Sequence, residues 1–276
     1  MTVSPRPLIL NLVLGARGQV LEAREAVAAC ALFGVPDNTT RVMLARLTAS
    51  GLLRAVGRGL YGLGPAARTL AEEVAGWRDA PGRLVPWQGD WIAVHTGGLG
   101  RSDRPALRQR ERALRLLGLA PYGRGLFLRP DNLAGGVALV RERLRRLGLE
   151  PEAPVFVARG FEAPDDHAIR TLWDVAALDA GYRAGAEHLD RWLAGAAALP
   201  PELAAREAFR LGDDAIRQVV YDPLLPEPLV DGRARDAFFD AVRRFDAAGH
   251  AIWHDYLSSV RVRNAVAPPP KLPETT

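Results

Sequence analysis

Apolar residues near the N-terminus recur at helical spacing and predict short helices. Residues 7–14 place leucines on one broad apolar face, after prolines and before glycines. The run at 21–32 combines early acidic residues with many alanines, and Gly34 follows it. A third helix is predicted from Asp37 or Asn38, either of which suits an N-cap, to the residue before Gly51.

The third predicted helix separates an apolar face from a face with arginines. Its core-facing positions are Thr40, Met43, Leu44 and Leu47. The remaining positions are Thr39, Arg41, Val42, Ala45 and Arg46. These five side chains are therefore expected wholly or partly outside the core.

Two short strands follow, at residues 52–56 and 60–63, joined by the tight turn Gly57-Arg58-Gly59. Helix, turn, helix and a two-stranded ribbon predict a winged helix-turn-helix within residues 1–84. Such a module inserts the second helix of its helix-turn-helix, here the third predicted helix, into the major groove of DNA. Its ribbon contacts phosphates. The predicted DNA-binding residues are Thr39, Arg41, Val42, Ala45, Arg46, Arg54 and Arg58.

Residues 82–89 are interpreted as a linker into a middle domain at 85–162. Its pattern is strand, helix, strand, strand, helix, strand, which is typical of a ferredoxin-like domain with an antiparallel sheet. The first helix, at 105–117, is rich in arginine. We interpret that run as a solvated helix face, with a nucleic-acid surface as the alternative.

Long helical patterns occupy residues 163–260, and the prolines at 222–228 exclude a helix there. The sequence thus predicts an α+β protein with a mostly helical C-terminal domain. The apolar stripe of residues 165–193 suits either the core or a dimer interface. The segment 261–276 ends in a proline-rich stretch and is predicted to be a disordered tail.

Composition restricts the class of protein. The 276 residues are 48% hydrophobic and 25% charged, as in globular proteins. The longest apolar runs are far shorter than a membrane span, and no export signal is recognisable, so a cytoplasmic location without membrane contact is expected. The single cysteine, Cys30, lies in an apolar helix and is expected to be a buried thiol.

Charge is distributed unevenly along the chain. Residues 1–84 hold ten arginines against six acids, whereas the rest of the chain is balanced. Residues 37–68 alone hold five arginines against Asp37. This asymmetry is expected of a small surface that meets phosphates, and also of an ordinary solvated face.

Candidate chemistry elsewhere is weak. His250 and His254 stand four apart on a predicted helix, but no Glu follows the first histidine and no third ligand is evident. Paired aspartates at 165–166 and 213–214 suit helix starts better than acid–base catalysis. The glycine-rich run at 95–104 fits no nucleotide-binding motif. We therefore expect no metal, no cofactor and no catalytic residue, and hence no enzyme.

Five segments in order resemble the PaaX family of bacterial transcriptional repressors. They are TRVMLARLTASGLL at 40–53, RAVGRGLYGL at 54–63, WQGDW at 87–91, GRGLFLRP at 123–130 and YDPLLPEPL at 221–229. The chain departs from the family in reading HTGGLG at 95–100 and Val230-Asp231-Gly232 after the last motif. The family's middle domain resembles the small CRISPR-associated nucleases, which carry an acidic metal ligand at the end of its first strand. This chain has Val94-His95-Thr96 there, so nuclease activity is not expected.

The resemblance implies a sequence-specific repressor that binds double-stranded operator DNA as a homodimer. It further implies release from DNA by an aryl-CoA effector such as phenylacetyl-CoA. A CoA site needs arginines beside an apolar cleft, and the candidates are Arg101, Arg104, Arg108, Arg124, Phe127 and Arg129. The alternatives are a nucleic-acid-processing enzyme that uses the winged helix for targeting, and a scaffold that binds protein.

Overall fold

The computed structural model describes residues 4–15 and 20–266, and the fold is α+β, as predicted. The first elements are α1 (Pro5–Gly15), β1 (Leu21–Glu22), α2 (Ala23–Ala31), α3 (Asp37–Ala49), β2 (Leu53–Gly57), β3 (Leu60–Leu63) and α4 (Pro65–Ala75). The next are β4 (Trp91–His95), α5 (Arg104–Leu116), β5 (Ala120–Gly123), β6 (Leu126–Pro130), α6 (Gly136–Arg146) and β7 (Val155–Ala158). The last are α7 (Ala163–Arg170), α8 (Val175–Gly195), α9 (Pro201–Val220) and α10 (Gly232–Val266).

The chain divides into two compact units. The first unit comprises the described residues of 1–68, 195–210 and 246–276, and the second comprises 69–194 and 211–245. The predicted domain boundaries at 84/85 and 162/163 both fall inside the second unit. The division into three domains by sequence range stays a prediction.

In the first unit, strands pair antiparallel in the order β1-β3-β2 within the described residues. The prediction that the second helix starts at Leu21 is wrong. Leu21 and Glu22 form β1 and pair with Tyr61 and Leu60 instead of joining α2. Helices α1 to α3 bury an aliphatic core around Leu8, Leu44 and Leu47. Cys30 is fully buried in that core, as predicted, and burial raises the pKa of its thiol.

The C-terminal part of α10 completes the first unit. Glu25 on α2 is only 1% exposed, and its Oε1 accepts a hydrogen bond from Arg261 Nε at 2.6 Å. The Tyr256 hydroxyl donates to the Ala28 carbonyl at 3.3 Å. Arg261 lies in a helix that continues to Val266, so the predicted disorder is wrong for residues 261–266. Residues 267–276 of that predicted tail lie outside the described residues.

In the second unit, strands pair antiparallel in the order β5-β6-β4-β7 within the described chain, and the predicted element order is present. Strand β4 is buried on both faces because Ile92 and Val94 pack against α5 and α6, while Trp91 packs against Trp173. The alternation follows from the period of two along a strand. Helix α6 begins only at Gly136, because Asn132 and Leu133 are held in a loop by contacts with Leu224 and Leu84.

Residues 64–90 differ in two ways from what the sequence predicts. Helix α4 is not among the predicted elements, although Ala67, Ala71 and Val74 stand in it at helical spacing. The predicted linker at 82–89 is part of the fold. Trp87 packs edge-on against Trp91 at 4.9 Å between ring centroids, and the Val85 amide donates to the Asn132 carbonyl.

The helical part of the second unit is built on α8, α9 and the start of α10. Tyr182, Leu189 and Phe238 form its buried centre. The apolar stripe of residues 165–193 therefore supplies core contacts, while Trp173, Leu178 and Trp192 are only half-buried; an interface on this stripe stays a prediction. Residues 222–231 form no helix, as predicted.

Candidate nucleic-acid interface

The exposed face of α3 carries the side chains expected from the sequence. Thr40, Leu44 and Leu47 are at most 2% exposed and face the core. Thr39, Arg41, Val42, Ala45 and Arg46 are all exposed. At 100° per residue, Val42 and Ala45 mark the middle of this face, with Arg41 on one side and Arg46 on the other.

Asp37 does not have the predicted N-cap role. Pro36 occupies the cap position, and Asp37 is the first residue of α3. Its carboxylate instead accepts a hydrogen bond from Arg41 Nε at 2.6 Å, one helical turn later. The pair is more than half exposed, so Arg41 is oriented by Asp37 while its guanidinium stays open to solvent.

The hairpin of β2 and β3 is fixed against the end of α3 by a close backbone contact. A Cβ added at Gly64 would lie 2.1 Å from the Gly51 carbonyl oxygen, so only glycine fits there. The turn at the tip includes Gly59, with φ of +70°. Arg54 on β2 and Arg58 in the turn are exposed. Within the described residues, Arg46, Arg54 and Arg58 form no intramolecular ion pair.

The predicted effector residues are not brought together into one pocket. Arg101, Arg104 and Arg108 are exposed at and before the start of α5, and Arg124 is exposed in the turn between β5 and β6. The ring of Phe127 packs partly buried against the core. Arg129 is 1% exposed and lies inside the second unit.

Arg129 ties three segments together. Its guanidinium donates hydrogen bonds to the carbonyl of Leu117, the carbonyl of Pro130 and Oδ1 of Asn132. Asn132 in turn donates to the Leu224 carbonyl at 2.7 Å. Arg129 thus connects β6 to the predicted motif YDPLLPEPL. Burial lowers its pKa to about 9, so the guanidinium remains protonated at neutral pH.

A partly open cavity of about 40 Å³ adjoins this network. Its polar wall includes Glu73, Arg83, Arg129, Arg143 and Asp222, and the rest of the lining is apolar and includes Trp77, leucines and valines. A volume of this size holds roughly three water molecules. It is much smaller than the pockets of several hundred cubic ångströms that drug-sized ligands occupy.

The two carboxylates in the cavity wall differ in their ionisation. Burial opposes the charge on Glu73, but Arg143 and Arg146 outweigh it and hold the pKa of Glu73 below its usual range. Burial raises the pKa of Asp222, against the opposing effects of the Leu224 amide and the charge of Arg235. Within the described chain, Oδ2 of Asp222 has no hydrogen-bond partner.

One buried ion pair could not be found from the sequence. Arg110 belongs to the arginine-rich helix interpreted as solvated, yet it is 4% exposed and pairs with Glu150, 40 residues later. That interpretation is wrong for Arg110, because its position on α5 faces the chain that follows α6. The amphipathic pattern alone carries no signal for such a distant partner.

The histidines considered above as metal ligands do not form a site with other ligands in the described residues. Nδ1 of His250 lies 2.6 Å from the Asp246 carbonyl oxygen, and His254 lies beside Asp255. Within residues 4–15 and 20–266, no group of three potential metal ligands is clustered. No helix in the same residues is long and apolar enough to span a membrane.

Residues 173–255 match the sequence profile of the PaaX-like protein C-terminal domain. The predicted resemblance to the PaaX family is thereby confirmed, and this family consists of transcriptional regulators. The fold is similar to that of the uncharacterized protein Rv0674 from Mycobacterium tuberculosis, with a TM-score of 0.53 and 23% identity. That alignment covers 95% of this chain and 97% of the other. No curated protein shows significant sequence similarity to the chain.

Proposed function

From the PaaX-like C-terminal domain, we propose that this protein is a transcriptional regulator, a repressor that binds operator DNA through a winged helix in its first unit. The proposal rests above all on the exposed face of α3, with an arginine on each side of Val42 and Ala45. That face is adjoined in sequence by a basic hairpin, β2 to β3.

The order of elements supports this assignment. Helix α2, the turn at 32–36 and α3 form the helix-turn-helix, and the β1-β3-β2 sheet supplies the wing. In such modules the second helix enters the major groove, where bidentate arginines read guanine. Arg41, held by Asp37, and Arg46 are the proposed base-reading arginines, and Thr39, Val42 and Ala45 line the same surface. Arg54 and Arg58 contact phosphates.

The test uses the DNA upstream of the protein's own gene as operator probe and a random duplex of equal length. Arg41→Ala and Arg46→Ala should each cost about 1–3 kcal/mol of operator affinity, because each removes a base contact. Arg58→Ala should weaken binding to both duplexes alike and reduce the slope of log affinity against log salt by about 1. Arg191→Ala, at an exposed arginine paired with Glu187, is the matched control. Unchanged binding in all three variants would contradict this docking mode.

A ligand that ends repression must bind the free protein more tightly than the DNA-bound protein. We propose an acyl-CoA effector, with phenylacetyl-CoA as the first candidate. The cavity beside Arg129 is too small for a CoA thioester, so the proposal does not place the effector there. Calorimetry with a panel of CoA thioesters tests it. Binding of none of them, with DNA binding intact, would leave a regulator with another kind of effector.

The middle of the chain, with strand order β5-β6-β4-β7 and both helices on one face, suits a ferredoxin-like domain.

A dimer is part of the proposal, because one recognition helix reads only half of a two-fold operator. Sedimentation should give a dimer at micromolar concentration. A monomer both on and off DNA would contradict the two-fold operator.

A further inference from the structure

A group of arginines lies around the start of α5, and most of them are exposed. We name Arg101, Arg104, Arg108 and Arg112 the arginine stripe. Arg101, Arg104 and Arg108 are exposed, and Arg112 is half-buried. Arg104, Arg108 and Arg112 follow one another at intervals of four, so they lie along one side of α5 over about 12 Å. Within the described residues, no carboxylate forms an ion pair with any of the four.

About half of the exposed arginines elsewhere in the described chain have such a partner. The pairs include Arg159 with Asp90, Arg183 with Asp231, Arg191 with Glu187, Arg217 with Asp213 and Arg244 with Asp190. Within the described residues, single exposed arginines such as Arg68 and Arg233 also pair with no carboxylate, so the stripe is distinguished by having several such arginines along one helix side. The proposed DNA-contacting residues Arg46, Arg54 and Arg58 form no such pair, and the stripe shares that property with them.

The stripe also carries a local energetic cost. Like charges four residues apart on a helix destabilise it by about 0.2–0.5 kcal/mol per pair. Arg104 is the first residue of α5 and Arg101 precedes it, so both lie where the helix dipole disfavours positive charge. An anion bound along the stripe would remove both costs.

From this surface we propose that the arginine stripe binds the sugar-phosphate backbone of double-stranded DNA, as a second and sequence-independent contact. The inference rests on the proposed function. A CoA thioester would also need an apolar cleft for its acyl group. The shallow groove along α5 is instead lined by Pro105, Gln109, Glu111, two stripe residues, Arg108 and Arg112, and the neighbouring Arg115. A polyanion without an apolar part is the occupant that fits this lining.

The test combines Arg101→Ala, Arg104→Ala and Arg108→Ala in the full-length protein. Affinity for the operator probe and for a random duplex is measured across a series of salt concentrations. Three lost phosphate contacts should reduce the slope of log affinity against log salt by about 2 to 3 for each bound subunit. The ratio of operator to random affinity should stay unchanged, because backbone contacts carry no sequence information.

Two variants control for charge and for folding. Arg159→Ala, Arg183→Ala and Arg191→Ala together remove three positive charges from the same unit, and should leave the slope within about 1 of the unaltered protein. Lysine at positions 101, 104 and 108 keeps the charge and should retain most of the slope. Rescue by lysine shows that the alanine variant failed through charge and not through misfolding.

Three results would overturn the inference. The first is a slope change no larger than that of the charge-matched control. The second is an unchanged slope with weakened binding of phenylacetyl-CoA, which would assign the stripe to the effector. The third is a failure of the unaltered protein to bind either duplex, which would overturn the proposed function as well. An intact operator complex in the first two cases would leave the proposed function standing.

Discussion

Arginines in two regions of this molecule have opposite surroundings. In the second unit, Arg110, Arg129 and Arg235 are at most 6% exposed, and each donates hydrogen bonds to carbonyl or carboxylate oxygens. On α3 and the β2-β3 hairpin, Arg46 and Arg58 are exposed and form no ion pair within the described residues. Thirty-five of the 36 basic residues are arginine, so the residue type alone says nothing of its role. The bonds already made by each guanidinium separate structural arginines from those free to bind an anion.

The largest predicted effect is at Arg129. Arg129→Met keeps much of the side-chain volume but leaves three buried acceptors without their donor. Each unsatisfied acceptor costs about 1–3 kcal/mol. Removing the guanidinium also removes the cost of burying its charge, which offsets part of that loss. A net loss of about 3 kcal/mol in unfolding free energy is therefore expected. Urea denaturation measures it. Arg129→Lys should recover little, because an ammonium cannot reproduce the fork that reaches Leu117 and Asn132. Wild-type stability in the Met variant would show that this network contributes nothing.

A smaller and pH-dependent effect is expected at Glu73, which pairs with Arg143 and Arg146. Because the pKa of Glu73 is lowered on folding, its contribution is present above the unfolded value of about 4.5 and is lost as pH falls through the folded value. Glu73→Gln should cost about 2 kcal/mol at pH 7, as for a hydrogen bond to a charged group. The difference between the proteins should shrink in acid. Parallel stability curves from pH 7 to pH 3 would contradict the assigned shift.

The smallest effect on stability is expected on the proposed DNA surface. Arg41→Ala breaks an exposed pair with Asp37, and such pairs contribute about 0–1 kcal/mol. We expect a change below about 0.5 kcal/mol in unfolding free energy, together with the loss of operator affinity given above. Thermal denaturation measures the change in stability, and a mobility-shift assay measures the loss of operator affinity. A large loss of stability at Arg41 would place it with the structural arginines and remove the contrast.

Much of the fold could be predicted because local patterns agree with it. The two faces of α3 follow from a clear 3.6-residue period, and strand β4 from an unbroken apolar run. The start of α2 could not be predicted, because β1 exists only through pairing with β3. The burial of Arg110 likewise depends on Glu150, and the position of Arg129 depends on the Leu117 carbonyl and on Asn132. The sequence identified candidate arginines, but only tertiary contacts distinguish buried ones from exposed ones.

The length of α10 matters for anyone who cuts this protein into fragments. The PaaX-like match ends at residue 255, but α10 continues to Val266, and Tyr256, Val260 and Arg261 pack in the first unit. A fragment of residues 1–84 would therefore leave the carboxylate of Glu25 without its arginine. It would also uncover the ring of Phe33, which packs against Phe209 at 5.3 Å between centroids. A soluble DNA-binding fragment should come from joining the N-terminal residues to the 195–210 and 246–266 segments, not from cutting at a sequence boundary.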